Sequence, residues 1–138
     1  MGRYGLVFDH LGLAVKKPEK AIQFLIGLGY DIGTEVYDPL QKVYLIWCRS
    51  SKMPAVELVY STNGQSTSPI DTILRDTNEM IYHQCYRSED TSMSIQAIKN
   101  DAIRVLCVAE KKPAILFGNK LVSFYMISGF GLIEIIEE

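Results

Sequence analysis

An α+β fold made of two βαβββ modules is predicted by three features of the sequence. Two histidines, each with the apolar residues of the segment after it, recur 73 positions apart; two glutamates set in apolar strands recur 77 apart; and a helix-period segment follows each histidine strand. In detail, His10 matches His83, Ile22-Gln23 match Ile95-Gln96, and Leu25 matches Ile98. Glu57 in VELVY matches Glu134 in IEIIE once four residues are inserted between helix and final strand of the second half.

The elements follow in order. FDHLGLAV, Phe8 to Val15, alternates as a strand, with His10, Gly12 and Ala14 on one face and Leu11, Leu13 and Val15 on the other. From Pro18 to Leu28 the apolar residues Ala21, Phe24, Leu25 and Leu28 take the spacing of one helix face, and Gly29 stands where a C-cap belongs. That face is expected to cover the leucine side of the sheet. Three strands then fit over Asp31 to Tyr37, Lys42 to Arg49 and Ala55 to Tyr60. The polar stretch Ser61 to Ser68 leads into a short helix, PIDTILRD, with Pro69 in its first turn and Ser68 as N-cap.

The second half opens with the strand Ile81 to Arg87 and a helix over Ser92 to Asn100 carrying Met93, Ile95 and Ile98. Strand segments follow at Ile103 to Val108, Pro113 to Leu116 and Lys120 to Ile127, with Phe117-Gly118-Asn119 as a turn, and LIEIIE closes the chain. By length the 138 residues make one domain, with module one over about 6–60, a linker helix over about 68–76 and module two over about 80–138.

Bulk composition excludes several classes. Apolar residues make up 48%, charged residues 22%, and the net charge is −2, which leaves no basic footprint for nucleic acid. No apolar run reaches the roughly 18 residues that span a bilayer, and the N-terminus does not read as a signal peptide, so a cytoplasmic protein is expected. Cys48, Cys85 and Cys107 lie in strand-like stretches without metal-type spacing and read as reduced, packed thiols.

The chemistry is carried by four residues. A lone strand histidine is most often a satisfied core or surface group, but these are the chain's two histidines and they stand in repeat register. Glu57 lies between Val56 and Leu58, and Glu134 between Ile133 and Ile135. A carboxylate there either faces solvent or needs a partner, because burying it alone costs several kcal/mol. Two neutral imidazoles with two carboxylates make a charge-neutral site for one divalent ion of borderline to hard character; Ni, Zn, Co, Mn and Fe all suit it. Trp47 and Phe124, also 77 apart, are candidates to line the cavity, though any fold would pack such residues in its core. Arg87 shares His83's face and reads as a solvated strand-end charge, or else as a contact for an anionic substrate end. Gln41, Lys42 and Lys120, at turns, could hold a carboxylate or phosphate.

FDHLGLAV, VELVY, SPI, YHQCY and GLIEIIEE, in this order and spacing, resemble the vicinal oxygen chelate (glyoxalase/bleomycin resistance) superfamily, in particular its glyoxalase I and methylmalonyl-CoA epimerase branches. The resemblance implies a cupped mixed sheet around one divalent metal, with His10, Glu57, His83 and Glu134 as ligands. Glu57 weighs against the extradiol dioxygenase branch, and the full ligand set against the antibiotic-binding one. Similar epimerases carry a second carboxylate on the third strand, and here that position, in QKVYLIW, falls on Leu45.

The expectation drawn from this departure is a glyoxalase I-like lyase or isomerase acting on a thiol hemithioacetal of a 2-oxoaldehyde. By resemblance the metal polarises adjacent oxygens and stabilises an enediolate, Glu134 is the base, and Glu57 is a ligand and second proton carrier. SPI and YHQCY keep open epimerisation of a 2-substituted acyl-CoA. A non-catalytic small-molecule binder on the same scaffold is the third reading. The expected partner is a small thiol hemithioacetal or acyl thioester, with neither nucleic acid nor membrane, in a homodimer.

Overall fold

The computed structural model describes residues 2–61 and 69–138, so the Ser68 cap and nearly all of the polar stretch before it lie outside the described residues. The chain forms two compact units, residues 10–82 and residues 1–9 with 83–138.

In the first unit the sheet order is β2-β3-β4-β1, from β1 (Val7–Val15), β2 (Asp31–Asp38), β3 (Val43–Arg49) and β4 (Ala55–Tyr60). Neighbouring β2, β3 and β4 are antiparallel, whereas β1 runs parallel to β4, so the sheet is mixed. Helix α1 (Glu19–Leu28) ends where Gly29 turns left-handed at φ 103°, and the N–H of Tyr30 closes back on the Leu25 carbonyl. Leu25 is buried with Val15, Tyr30, Ile46, Cys48, Val56 and Leu58, and Leu13, Ala21 and Ile22 pack against them. The leucine side of β1 therefore lies under the helix, as alternation predicts. The helix stripe is rotated from the predicted one, however: Phe24 is 68% and Leu28 46% exposed, because Ile22 and Leu25 form the side that meets the sheet. Helix α2 is shorter than expected, Pro69–Ile73.

The second unit repeats the order as β5-β8-β7-β6, from β5 (Glu79–Ser88), β6 (Val105–Ala114), β7 (Lys120–Ile127) and β8 (Gly131–Glu137). Strand β8 is parallel to β5 and antiparallel to β7, matching β4. Helix α3 (Thr91–Asn100) is capped by Asp90, whose carboxylate accepts from the Met93 N–H. Ile98, Ile127, Ile133 and Ile135 form the core beneath it, together with Tyr4 and Leu6 of the N-terminal segment. That segment is fastened by Arg3 and Tyr4, which both donate to the Asp101 carboxylate.

One expectation is corrected here. The two segments at residues 103–108 and 113–116 are a single edge strand, β6, followed by one 3-10 turn at Ile115–Phe117. Irregular pairing with β7 between Cys107 and Lys112 breaks the alternation, and Pro113 is tolerated at the end of an edge strand. The four inserted residues of the second half are thereby located by register: two lie between α3 and β6, one in the β6 irregularity, and one in the β6–β7 turn. With these, the described residues form eight strands and three helices, the α+β pair of βαβββ modules the sequence predicts. Among them no helix is long and apolar enough to cross a membrane.

Candidate functional site

In the first unit, the face of the sheet away from α1 carries His10, Gly12 and Ala14. Parallel pairing of Gly12 with Glu57 and antiparallel pairing of Glu57 with Trp47 puts Glu57 and Trp47 on that same face, since directly opposed residues share a side. His10 is fully buried and Glu57 is 4% exposed. Their Nε2 and Oε1 atoms stand 3.7 Å apart, and the Trp47 ring meets the imidazole edge-on with centroids at 4.9 Å.

The second unit reproduces this arrangement. Glu134 pairs with Cys85 on one side and with Phe124 on the other, as Glu57 does with Gly12 and Trp47. His83 and Glu134 are each 2% exposed, with Nε2 and Oε1 at 3.1 Å, and Phe124 stands edge-on to His83 at 5.4 Å. The sequence offers Trp47 and Phe124 as candidates to line the cavity or as ordinary core residues; in the structure each packs on its own module's histidine, opposite its own module's glutamate.

This donor set suits a divalent cation. Two donors bound to one ion at roughly 2.0–2.2 Å stand about 3 to 3.6 Å apart for bond angles between octahedral and tetrahedral. The observed 3.1 Å lies within that spacing and 3.7 Å just outside it, and the longer one is beyond direct hydrogen-bond length. Burial keeps bulk water from competing as a ligand, and one neutral imidazole with one carboxylate per half provides balanced charge for a dication.

One residue that supports the site was not legible in the sequence. A Cβ on Gly33 would sit 2.6 Å from the Trp47 carbonyl oxygen, so glycine is required where β2 bends against β3. Only the register, with its irregularity between Ile32 and Glu35, identifies the position.

The remaining candidates fall elsewhere. Leu45 is buried in β3, opposite Val59 and on the Trp47 face, so the position to which the resemblance assigns a second carboxylate holds an aliphatic side chain. Arg87, near the end of β5 with its side chain 41% exposed, is the solvated strand-end charge expected, and it pairs with Asp9 at 3.1 Å and Glu138 at 3.2 Å. The Gln41 side chain donates to Asp38 within the β2–β3 turn. Lys42 sits in that turn at φ 58°, and Lys120 opens β7. Cys48 and Cys85 are packed thiols, and burial pushes the Cys48 thiol up to about 11, whereas Cys107 is exposed on the edge strand, against the expectation for all three.

The sequence profile of the Glyoxalase/Bleomycin resistance protein/Dioxygenase superfamily matches residues 9–124. No curated protein matches the chain by sequence. Among solved structures, methylmalonyl-CoA epimerase from Mycobacterium tuberculosis is similar at TM-score 0.77 and 19% identity, over 99% of this chain and 91% of that one. A hypothetical protein from Bacillus halodurans C-125 is similar at 0.77 and 21%, over 96% and 94% of the two chains. A variant of Streptomyces coelicolor methylmalonyl-CoA epimerase in complex with 2-nitronate-propionyl-CoA is similar at 0.70 and 18%, over 96% and 94%. These identities bear on fold, and the profile, which spans most of the sequence, on kinship: the chain belongs to the glyoxalase/bleomycin resistance/dioxygenase superfamily, the vicinal oxygen chelate fold.

Proposed function

We propose that His10, Glu57, His83 and Glu134 hold one divalent ion, and that the chain is an isomerase moving a proton on and off the carbon beside a thioester or hemithioacetal carbonyl. The observation that carries the reading is the repeated buried constellation of histidine, glutamate and edge-on aromatic ring. When bound, the ion would polarise two adjacent substrate oxygens and favour charge developing there.

Glu134 takes the α-proton as a general base, while the C–H electron pair moves onto the neighbouring carbonyl. Glu57, the matching carboxylate of the other module, is the second proton carrier. Trp47 and Phe124 hold the imidazoles in place and limit water access. Because the epimerases are the named neighbours, the first substrate class is a 2-substituted acyl thioester such as an acyl-CoA. The second reading, a hemithioacetal of a 2-oxoaldehyde, is favoured by one specific feature, the buried Leu45.

Two measurements test this. Elemental analysis of metal-loaded protein should give one ion per chain, falling below about a tenth in either His10→Ala or His83→Ala; retention of half the metal in one variant would mean that the halves do not share an ion. Incubation in deuterium oxide with an acyl-CoA arm (methylmalonyl-CoA and a 2-methylacyl-CoA), and in parallel with a 2-oxoaldehyde arm (methylglyoxal or phenylglyoxal plus thiol), should label the α-carbon of a substrate in at least one arm. Exchange on the second alone would select the hemithioacetal, and stoichiometric metal with exchange on neither would favour the non-catalytic binder.

A further inference from the structure

The two modules match at the site but differ one step away from it. On the site face of the second unit, Leu132 pairs with Met126 and Met126 with Leu106, and continuing the β5–β8 register by one residue past Gln84–Ile133 brings the row to His83. In the first unit His10 pairs with Ala55 and Arg49 with Asp31, and the β3–β4 register continued by one residue past Cys48–Val56 joins them. Beyond the histidine one row is entirely apolar; its counterpart ends in a cation and an anion. Both start at the candidate metal ligand, so the difference lies where a substrate substituent would lie.

Exposure makes the apolar row costly without an occupant. Met126 on β7 is 43% and Leu106 on β6 66% exposed, and Val108 on β6 is also exposed, although the two residues on the edge strand β6 could have been polar at little cost. Continuity with His83 and Phe124 distinguishes this strip from a scattered surface patch. Its chemistry rejects a carboxylate, which would lose hydration there without gaining a partner.

Resting on the proposed metal-centred reading, we infer that Leu132, Met126 and Leu106 seat a hydrocarbon substituent of the substrate, so that alkyl or aryl groups are preferred over a carboxylate at this position. Substrates of the class would be 2-alkyl or 2-aryl acyl thioesters, or hemithioacetals of larger 2-oxoaldehydes, rather than a dicarboxylic acyl group.

Hydroxamates, which present two adjacent oxygens, test the strip independently of turnover. Acetohydroxamate, octanohydroxamate and succinic monohydroxamate are titrated into metal-loaded protein, with binding read from the fluorescence of Trp47, the chain's one tryptophan. The octanoyl probe should bind at least about 30-fold tighter than the acetyl probe, and the succinic probe no tighter than the acetyl one. In Met126→Lys, and separately in Leu106→Lys at the exposed edge, the octanoyl-to-acetyl ratio should fall to about threefold or less. Binding of all three hydroxamates with equal affinity overturns this inference and leaves the metal-centred reading standing. Failure of every hydroxamate on protein that carries its ion overturns both. A change of oligomeric state in Leu106→Lys with an unaltered ratio assigns the strip to contact between copies and also overturns the inference.

Discussion

The two modules keep the same histidine, glutamate and aromatic ring in the same register, yet nearly everything around those residues has diverged. Module one ends its helix with a left-handed glycine, Gly29, whereas module two puts Ala102 in the left-handed region after α3. Module one closes the far end of its sheet with Tyr44 stacked on Tyr60; the position matching Tyr60 is Glu137, joined to Lys111. Module one bends β2 at Gly33, and the matching position in β6 is Val108. Duplicated halves can drift wherever burial alone is required, because many apolar packings have similar free energy. Where donors must stand near 3 Å from one another, they cannot.

That comparison can be broken or sharpened in order of expected effect. The largest concerns the two glutamates. Glu134→Gln should lower the rate of α-proton exchange about 10³-fold, and Glu57→Gln about 10²-fold, both measured by deuterium incorporation. Equal losses would mean that the halves share the proton transfer evenly. Next is the β2 bend: Gly33→Ala should destabilise the protein by about 1–3 kcal/mol in urea unfolding and shift Trp47 emission, while Val108→Ala should cost less than about 0.5 kcal/mol.

The helix ends come third, with opposite signs in the two modules. Gly29→Ala should cost about 1 kcal/mol, and Ala102→Gly should stabilise by roughly 0.5 kcal/mol, the relief of a left-handed alanine offset in part by greater unfolded-state entropy. Thermal unfolding of both variants checks the pair. The smallest effect is electrostatic. The Lys111 ammonium, assisted by the Thr91 N–H, holds Glu137 below its ordinary value of about 4.5. A depressed folded pKa gives stability that is present above the unfolded value and lost as pH falls through the folded one. Glu137→Gln should therefore be less stable by roughly 0.5 kcal/mol at neutral pH, the gap closing between about pH 5 and pH 3; the matching Tyr60→Phe should show no such pH dependence.

Much of this was legible before any coordinates. His10 with His83 and Glu57 with Glu134 stand out because a titratable residue in an apolar strand is conspicuous; β1 is readable from its alternation, and β4 and β8 as short apolar runs around one glutamate. The structure departs from the reading where period and packing separate. Strand β6 reads as two segments in the sequence because its irregular register scrambles the alternation between Cys107 and Lys112. Phe24 and Leu28 have helical spacing, but a ten-residue helix meets the sheet through a narrower stripe than its apolar residues could supply. Gly33 and the Leu132–Met126–Leu106 row depend on pairing between strands distant in sequence, which no local pattern encodes.

The first nine residues have one more implication. Phe8 packs edge-on against Tyr86, Asp9 meets Arg87, and Tyr4 and Leu6 lie over Ile98 and Ile133, so the beginning of the chain completes the layer of its latter half. A piece cut out at the midpoint would lack its own cover, however neatly the repeat divides on paper. The two halves are alike in plan, yet the second takes part of its cover from the first nine residues; supplying residues 1–9 in front of an excised second half is the graft expected to restore it.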